Sequence, residues 1–597
     1  MIHHYLASCA ALRHLYNDAA PVEWKATALT CDDLIRPRLY QPTMSGDPAV
    51  KAQCLPFAQI PHTTRLFTDF LAYSPSVQPF YPHSPHFGEW SKSESATIKY
   101  DPSRRERVSA ILERQNKSWG ASPETFANLA RLRQGAAAIV TGQQVGLFGG
   151  PMFAVYKALT AVKLAEEATA AGIDAVPIFW LATSDHDLAE VNHVSIPGPD
   201  GTLRTLTTSS HGVAGAPVSD VRLGEEILPV VDEAASLLGD SEASQFLRES
   251  YRPGVTLGIA FARFYARLFG QWGVILLDAA DVDLHRIAEP VYRAAIERAE
   301  ELDAALLNRG HALESAGYYQ QVKVTESSVL LFAMREGART AIHRRANGTK
   351  LGGTHQVEFA IGSEPGAEKL SSAELLNRIA TAPENFSPNV LLRPVVQDYL
   401  LPTLAYTGGT AEAAYFAQAG AVYEKILGRV TPIVPRFSAT LVEPKVQRWL
   451  RQYDISVPDS FHGPEALRKK LASTTLPEDL QAAFERANKS VEESFSSLQE
   501  ALAKLDPTLV EASQTGASKV RYQLDRLRER ATAAELRRSE VVGRHAEALS
   551  QILYPDGALQ ERGVAGVYFV ARHGTELLRS IHDIMRTDCH DHQIVEL

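Results

Sequence analysis

The sequence predicts an α/β protein with a doubly wound, Rossmann-like parallel core, two insertions in that core and a helical coiled coil towards the C-terminus. Three observations carry this expectation. Residues 136–196 read as strand, glycine-rich loop, helix and strand, a βαβ unit that implies a parallel sheet. A further buried-strand run, VILLD (Val274–Asp278), lies between helical stretches. From about Leu467 to Glu547, apolar residues recur at intervals of three and four between charged flanks, the spacing of coiled-coil helices.

Residues 1–54 show no clear period and hold Cys9, Cys31 and Cys54. They read as an N-terminal extension, or as translated sequence upstream of the true start. The core begins near Leu55 and its first part runs to residue 196. Within it, Ala136–Thr141 is a strand, Gly142–Gly150 (GQQVGLFGG) a loop, and Pro151 stands where a helix begins, as its fixed φ allows. Val155, Leu159 and Val162 mark the buried face of that helix, which fades near Gly172 before the second strand, Ala175–Ala182. Residues 197–255, opened by Pro197-Gly198-Pro199-Asp200-Gly201, read as an insertion. Residues 256–300 return to the core. Alternation at Val322, Val324 and Val329–Phe332 makes 301–385 a β-containing insertion. Residues 386–446 complete the core, 447–560 form the coiled-coil domain and 561–597 a C-terminal segment. In the coiled coil, Asp506-Pro507 or the Gly516 region marks a turn between two helices; an ordinary helical bundle is the alternative.

Composition narrows the function classes. The 597 residues carry 60 Lys+Arg against 70 Asp+Glu, a net charge of −10, which argues against a nucleic-acid-gripping protein. No apolar run approaches the roughly 18 residues of a membrane span. Four cysteines without a CxxC pair make neither a disulfide framework nor a zinc site. Leu6-Ala7-Ser8-Cys9 looks like a lipoprotein cleavage box, but no Lys or Arg precedes it, so no secretion signal is expected and the compartment is read as cytoplasmic. The C-terminal His582, Asp583, Cys589, His590, Asp591 and His592 have metal-ligand types without recognised spacing and read as a surface tail; no metal is predicted.

Three segments carry candidate chemistry. The glycine loop ends at a helix start, where free N–H groups and the helix dipole favour an anion; a tight turn is the alternative. Thr183-Ser184-Asp185-His186-Asp187, with Glu190, Asn192 and His193 beyond, falls at the carboxyl end of the second strand, where open α/β sheets bind ligands. Its carboxylates and imidazole suit an ammonium, a general base or a metal, and a polar helix-capping turn is the alternative. In the third segment, Phe386–Pro394 and Gln397 lead to Thr407-Gly408-Gly409-Thr410-Ala411-Glu412, and Arg393 suits a carboxylate or phosphate, or a structural salt bridge. Glu368–Ser372 resembles the lysine-serine ATP loop of class I aminoacyl-tRNA synthetases, but Ser371 and Glu374 read as a capping box.

At TGQQVGLFGGPMFAVYKALTAVKLA and VPIFWLATSDHDLAEVNHV the chain resembles the bacillithiol biosynthesis cysteine-adding enzyme family (BshC). IPHTTRLFTDFL, FSPNVLLRPVVQDYLLPTLAYTGG and TPIVPRFSATLVE match its other blocks in order. The resemblance spans about Leu55 to the C-terminus. It implies a nucleotidyltransferase-type core like that of class I synthetases, a coiled coil that makes a homodimer, and a ligase joining L-cysteine to glucosaminyl-malate. The chain departs from the family at Ser184, where a carboxylate is usual, at Thr410-Ala411, where Pro-Gly is common, and at Phe416, where Trp is expected.

The implied chemistry is activation of the cysteine carboxylate, most simply with ATP, although no recognised ATP motif is intact. Asp185, His186, Asp187 and His193 are then the catalytic candidates. The binding candidates are Thr141, Gly142, Gln143, Gln144, Gly146, Phe148, Gly149, Gly150, Tyr156, Lys157, Trp180, Ser184, Asn192, Asn389, Arg393, Gln397, Gly408, Gly409, Glu412 and Tyr415. Membrane and nucleic acid are excluded as partners. The rival expectation is a non-catalytic scaffold whose degenerate Rossmann core binds a nucleotide or thiol. The two differ in space: an enzyme needs Gln144, Asp185, His186, Asn389 and Arg393 around one pocket.

Overall fold

Apolar runs without alternation suit a sheet covered on both faces, and the central sheet is built from them. β1 (Ala137–Gln143) and β2 (Ala175–Leu181) are buried almost throughout and joined by helix α1 (Met152–Ala170). β3 (Ile275–Asp278) follows after a long excursion. Helix α2 (Arg393–Leu400) leads to β4 (Thr403–Gly408), helix α3 (Thr410–Ile426) leaves it, and β5 (Ile433–Pro435) ends the set. This computed structural model describes residues 39–40 and 51–597, apart from 210–212, 352–353, 363–365, 475 and 539. Among the described residues these five strands form one parallel sheet in the order β5-β4-β1-β2-β3. The chain moves outward from β1 to β3, then returns to the other side of β1. The winding therefore reverses between β1 and β4, the place where such sheets open a crevice.

Both excursions carry elements of their own. After β2, the strands His193–Pro197 and Leu203–Thr207 form an antiparallel hairpin, and helices Ile227–Leu238 and Glu242–Ser250 follow. After β3, the strands Ser328–Arg335, Ala338–Leu351, Thr354–Ile361 and Glu368–Ser371 pair antiparallel. Ser371 and Glu374 then make the reciprocal bonds of a capping box, which places the synthetase-like segment at a strand end and a helix start. The short strand Phe386–Pro388 joins this second sheet along Ser328–Arg335 and delivers the chain to α2.

In the C-terminal region, α4 (Glu478–Leu505) and α5 (Leu509–Arg538) are joined through Asp506–Thr508. Asp506 Oδ1 accepts from the Thr508 N–H and hydroxyl at 2.9 and 2.8 Å, so this is the turn. Gly516 lies inside α5, where a Cβ would stand 3.3 Å from the Phe495 ring; it is a contact point between the helices. Among the described residues no helix is long and apolar enough to cross a membrane.

The expected surface tail is instead part of the fold. Strand His592–Glu596 lies between Lys51–Leu55, antiparallel, and Ala439–Val442, parallel. His592 is fully buried, its ring nitrogens 2.7 Å from Ser438 Oγ and 2.9 Å from Thr440 Oγ1. The same pairing starts the fold at Lys51, before the boundary drawn at Leu55, and places Cys54 inside it. Neither is visible locally, because the partner strands are hundreds of residues away in sequence. The expectations for 1–38 and 41–50 lie outside the described residues.

Candidate functional site

A cavity of about 630 Å³ lies beyond the carboxyl ends of β1, β2 and β4, within the roughly 300–1,000 Å³ range of small-molecule sites. β1 brings Gly142, Gln143 and, just past its end, Gln144. β2 brings Trp180 and, beyond it, Ser184 and Asp185. α2 brings Arg393, with Asn389 before it, and the α3 N-terminus brings Gly409, Thr410, Glu412 and Tyr415. Its charged lining holds Lys157, Arg339, Arg393, Arg436 and Arg562 against Asp185, Glu190 and Glu412. The balance is cationic, which favours an anionic ligand.

Three of the cations gather around one ring. Lys157, Arg436 and Arg562 stand 5.7, 5.4 and 5.8 Å from the centroid of Phe153. The Lys157 ammonium, 2 % exposed, donates to Gly142 O at 2.8 Å, Gln143 Oε1 at 2.7 Å and Glu412 Oε1 at 2.5 Å. Burial lowers its pKa to about 8, against the pull of Glu412. Burial opposes the Glu412 charge too, but Lys157, the Gly409 N–H and the Tyr406 hydroxyl hold its carboxyl below the usual range. Arg436 is held from behind by Glu561 Oε1 at 2.5 Å. Glu561 Oε2 also accepts from the Ser438 hydroxyl and the Ala439 N–H, so the segment around residue 561 braces this wall. Arg393 is gripped by the Tyr415 hydroxyl at 2.7 Å and Gln397 Oε1 at 3.2 Å.

Acid and amide groups form the other cluster. Gln144 Nε2 donates to Asp185 Oδ2 at 2.7 Å and Glu190 Oε2 at 2.9 Å. Arg339 reaches this cluster from the second insertion. It donates to Ser387 Oγ at 2.8 Å and Pro388 O at 2.6 Å, lies 4.1 Å above the Phe332 ring, and comes within 3.5 Å of Asp185 Oδ1. Asn389 Oδ1 accepts from the Leu391 and Leu392 N–H groups, starting the turn that aims Arg393. His285 and Tyr292 face the cavity as a pair, 3.0 Å apart, and burial lowers His285 to about 4, so its imidazole is neutral.

Gln144, Asp185, Asn389 and Arg393 thus converge on one cavity, with Gly142, Gln143, Lys157, Trp180, Ser184, Gly409, Glu412 and Tyr415. His186 stands just behind the wall, its Nδ1 3.5 Å from Asp185 Oδ1 and 3.4 Å from Arg339 Nη1. Thr141, Gln397 and Gly408 are also one layer back. Thr141 ties β1 to Thr407 O at 2.9 Å, and Gly408 O accepts from the Arg436 N–H at 2.8 Å. Asp187 and His193 are exposed outside the cavity, and Asn192 bonds towards Thr208 O, so three residues of the acidic segment depart from their expected place.

The glycine loop departs further. Beyond Gln144 it packs into the interior, and the groups at Gly149 and Gly150 are already bonded. The Gly149 N–H meets the Tyr251 hydroxyl, Gly149 O accepts from Tyr265, and Gly150 O accepts from the Gly566 N–H. The α1 N-terminus is closed by the bond from Met152 N–H to Val564 O. Phe148 is buried with φ 52°, edge-on to Tyr251, and Tyr156 packs on Phe437. Gly146, Phe148, Gly149, Gly150 and Tyr156 therefore shape the fold, and the expected amide cradle is absent there.

Sequence reasoning missed Arg339, Arg436, Arg562, Tyr406 and the His285–Tyr292 pair. Arg436 lay in the block TPIVPRFSATLVE, just beyond a strand end, which is a usable signal. Arg339 starts an insertion strand and Arg562 follows the coiled coil; nothing local marks either.

Comparison with known proteins agrees with this architecture. The family described as "Bacillithiol biosynthesis BshC, N-terminal Rossmann-like domain" matches residues 50–437, and "Bacillithiol biosynthesis BshC, C-terminal coiled-coil domain" matches 439–597. A relative from Koribacter versatilis, named "Putative cysteine ligase BshC", is 49% identical over 91% of this chain and 99% of its own length. Relatives of the same name are 37% identical in Solibacter usitatus, over 91% and 99% of the two chains, and 30% identical in a Geobacillus species, over 87% and 95%. With both family domains matched end to end behind a cavity at the switch point of a parallel sheet, the chain belongs to the BshC family of bacillithiol biosynthesis.

Proposed function

We propose that this chain is a ligase that joins the carboxylate of L-cysteine to the amine of glucosaminyl-malate, forming an amide. The observation that carries the reading is the meeting, in one cavity, of the Gln144–Asp185–Glu190 cluster with the Lys157, Arg393, Arg436 and Arg562 cations. Asp185 and Glu190 suit an ammonium and can receive a proton from an attacking amine. The cations suit carboxylates, including malate, and the charge that develops on the acyl oxygen. Arg393 is aimed for this by Asn389 and held by Tyr415. Ser184, at the cavity wall, adds no charge, so Asp185 and Glu190 carry the negative charge of this cluster.

A carboxylate is a poor acyl donor, and ATP, when bound, supplies its activation. The residues that fit its phosphates are Arg436 and Arg562 beside Phe153, since the loop amides and the Lys157 donors are engaged elsewhere. Incubating the purified full chain with cysteine, glucosaminyl-malate and ATP, then detecting the thiol product by mass, tests the reading. Product that requires all three is expected. Ligand binding without product would leave the scaffold reading standing, and product without ATP would remove ATP from the scheme.

The chain is further proposed to act in the cytoplasm and to dimerise through the coiled coil. Leu498, Leu505, Leu509, Val520 and Leu527 leave apolar surface exposed on α4 and α5. Light scattering that gives a dimer, and a monomer after Leu498 and Leu527 are replaced by glutamate, is the expected result; a wild-type monomer would refute it.

A further inference from the structure

Two thiols that no step above uses lie against each other. Cys54 is on strand Lys51–Leu55, opposite Gln593 in the C-terminal strand. Cys589 sits in the segment that leads into that strand. Their sulfurs are 3.5 Å apart although 535 positions separate them in sequence. Both residues are half-buried, so solutes reach them while the surrounding sheet fixes their approach. Moving from this contact to a bonded pair takes a shift of about 1.5 Å, given an S–S bond near 2.05 Å. Their chemistry is also divided: the hydrogen bond with Cys54 and the nearby Arg586 favour a thiolate at Cys589, whereas the contact with Cys589 and burial push the Cys54 thiol up. The attacking group in thiol–disulfide exchange is the thiolate.

We propose that Cys54 and Cys589 form a thiol–disulfide exchange site that takes a low-molecular-weight disulfide of the cystine class and closes an intrachain disulfide. The Cys589 thiolate attacks one sulfur of cystine and expels one cysteine thiolate, leaving a mixed disulfide on the protein. Cys54 gives its proton to solvent and attacks Cys589 Sγ, expelling the second cysteine. The protein dithiol loses two electrons and cystine gains them, yielding two cysteines. The closed bond staples Lys51–Leu55 to the approach of strand His592–Glu596, whose other neighbour carries Ser438 and Ala439 behind the Glu561–Arg436 wall. The site does not depend on the ligase reading.

The test uses the full chain, reduced, freed of reductant without air, and equilibrated with cystine/cysteine mixtures of increasing cystine fraction. After alkylation, non-reducing peptide mapping should show the Cys54 peptide linked to the Cys589 peptide, lighter than the two reduced peptides by two hydrogens, and dithiothreitol should restore both alkylation sites. In C54S, Cys589 should instead carry a cysteine adduct, and C589S should lose both products. Full alkylation of Cys54 and Cys589 at every cystine fraction would overturn the proposal. So would linkage of either residue to Cys9, Cys31 or another chain in place of their mutual bond.

Discussion

Acidifying the protein should expose the cost of its buried C-terminal histidine. His592 sits at the centre of the end sheet with no solvent contact, and burial, with Arg436 adding to it, lowers its pKa to about 4 although Glu561 pulls the other way. In the unfolded chain the same group titrates near 6.5. Between these values the unfolded state binds a proton that the folded state refuses, so stability falls as pH falls through that window. From about pH 7 to about pH 4.5 the loss from this one group amounts to roughly 2–3 kcal/mol. Spread over the unfolding entropy of a chain this long, that is about 2 °C of Tm. The assay is calorimetry of wild type and His592→Gln across the range. The substitution has its own fixed cost through Ser438 and Thr440, so the informative quantity is the difference in slope. The variant's Tm should fall by about 2 °C less than that of wild type over the same interval. Parallel curves would refute the reasoning, because they would mean that His592 binds its proton equally well in the folded and unfolded chain. His285 and His590, each also lowered to about 4 by burial, should keep the variant acid-sensitive.

Gly149→Ala should destabilise by about 2–4 kcal/mol, because φ is +88° and a Cβ would lie 2.7 Å from Phe264 Cε1; a melting curve unchanged within a degree would return the loop to a recognition role. Asp185→Asn should lower kcat about 100-fold by removing a proton acceptor, and Arg393→Lys should raise KM for the carboxylate-bearing substrate about tenfold by losing the planar fork; steady-state rates that stay within twofold of wild type would remove either residue. If the Lys157 cation binds the anion, kcat/KM should fall tenfold per unit above pH 8, since the charge is lost as pH rises through a value of about 8. A profile flat into the alkaline range would show that the charge is not needed.

What could be read from the sequence follows the range of the interactions. β1, α1 and β2 are written locally, as unbroken apolar runs and a helical stripe within about 45 residues, and β3 as an apolar run of its own. The α4–α5 turn was likewise legible in Asp506-Pro507, as was the Ser371 cap. The end sheet was not, because its neighbours come from residues 51–55, 439–442 and 592–596, and each is too short to stand out. The site divides in the same way. Asp185, Lys157, Arg393 and Glu412 lie at strand ends or on the helices beside them, and strand ends can be anticipated. Arg339 enters from a hairpin whose position depends on the Phe386–Pro388 pairing, so only the fold brings it within reach of Asp185.

The glycine run shows why a conspicuous motif and a ligand site can part company. A loop of this composition offers free amides only if nothing else satisfies them, and buried amides are satisfied in folded proteins. Here Tyr251, Tyr265 and the segment around Val564 supply the partners. Glycine is needed because Phe264 and Tyr265 press on position 149, leaving no room for a side chain. The loop thereby fixes the start of α1, and α1 carries Lys157 and Phe153 to the cavity. In the proposed reading anion recognition falls to side chains rather than backbone, and each of these is set by a neighbour: Glu412 for Lys157, Glu561 for Arg436, Tyr415 for Arg393. Such a wall discriminates by where carboxylates and phosphates sit on a ligand, which suits the proposed pairing of cysteine with glucosaminyl-malate, since each brings both carboxylate and amine groups.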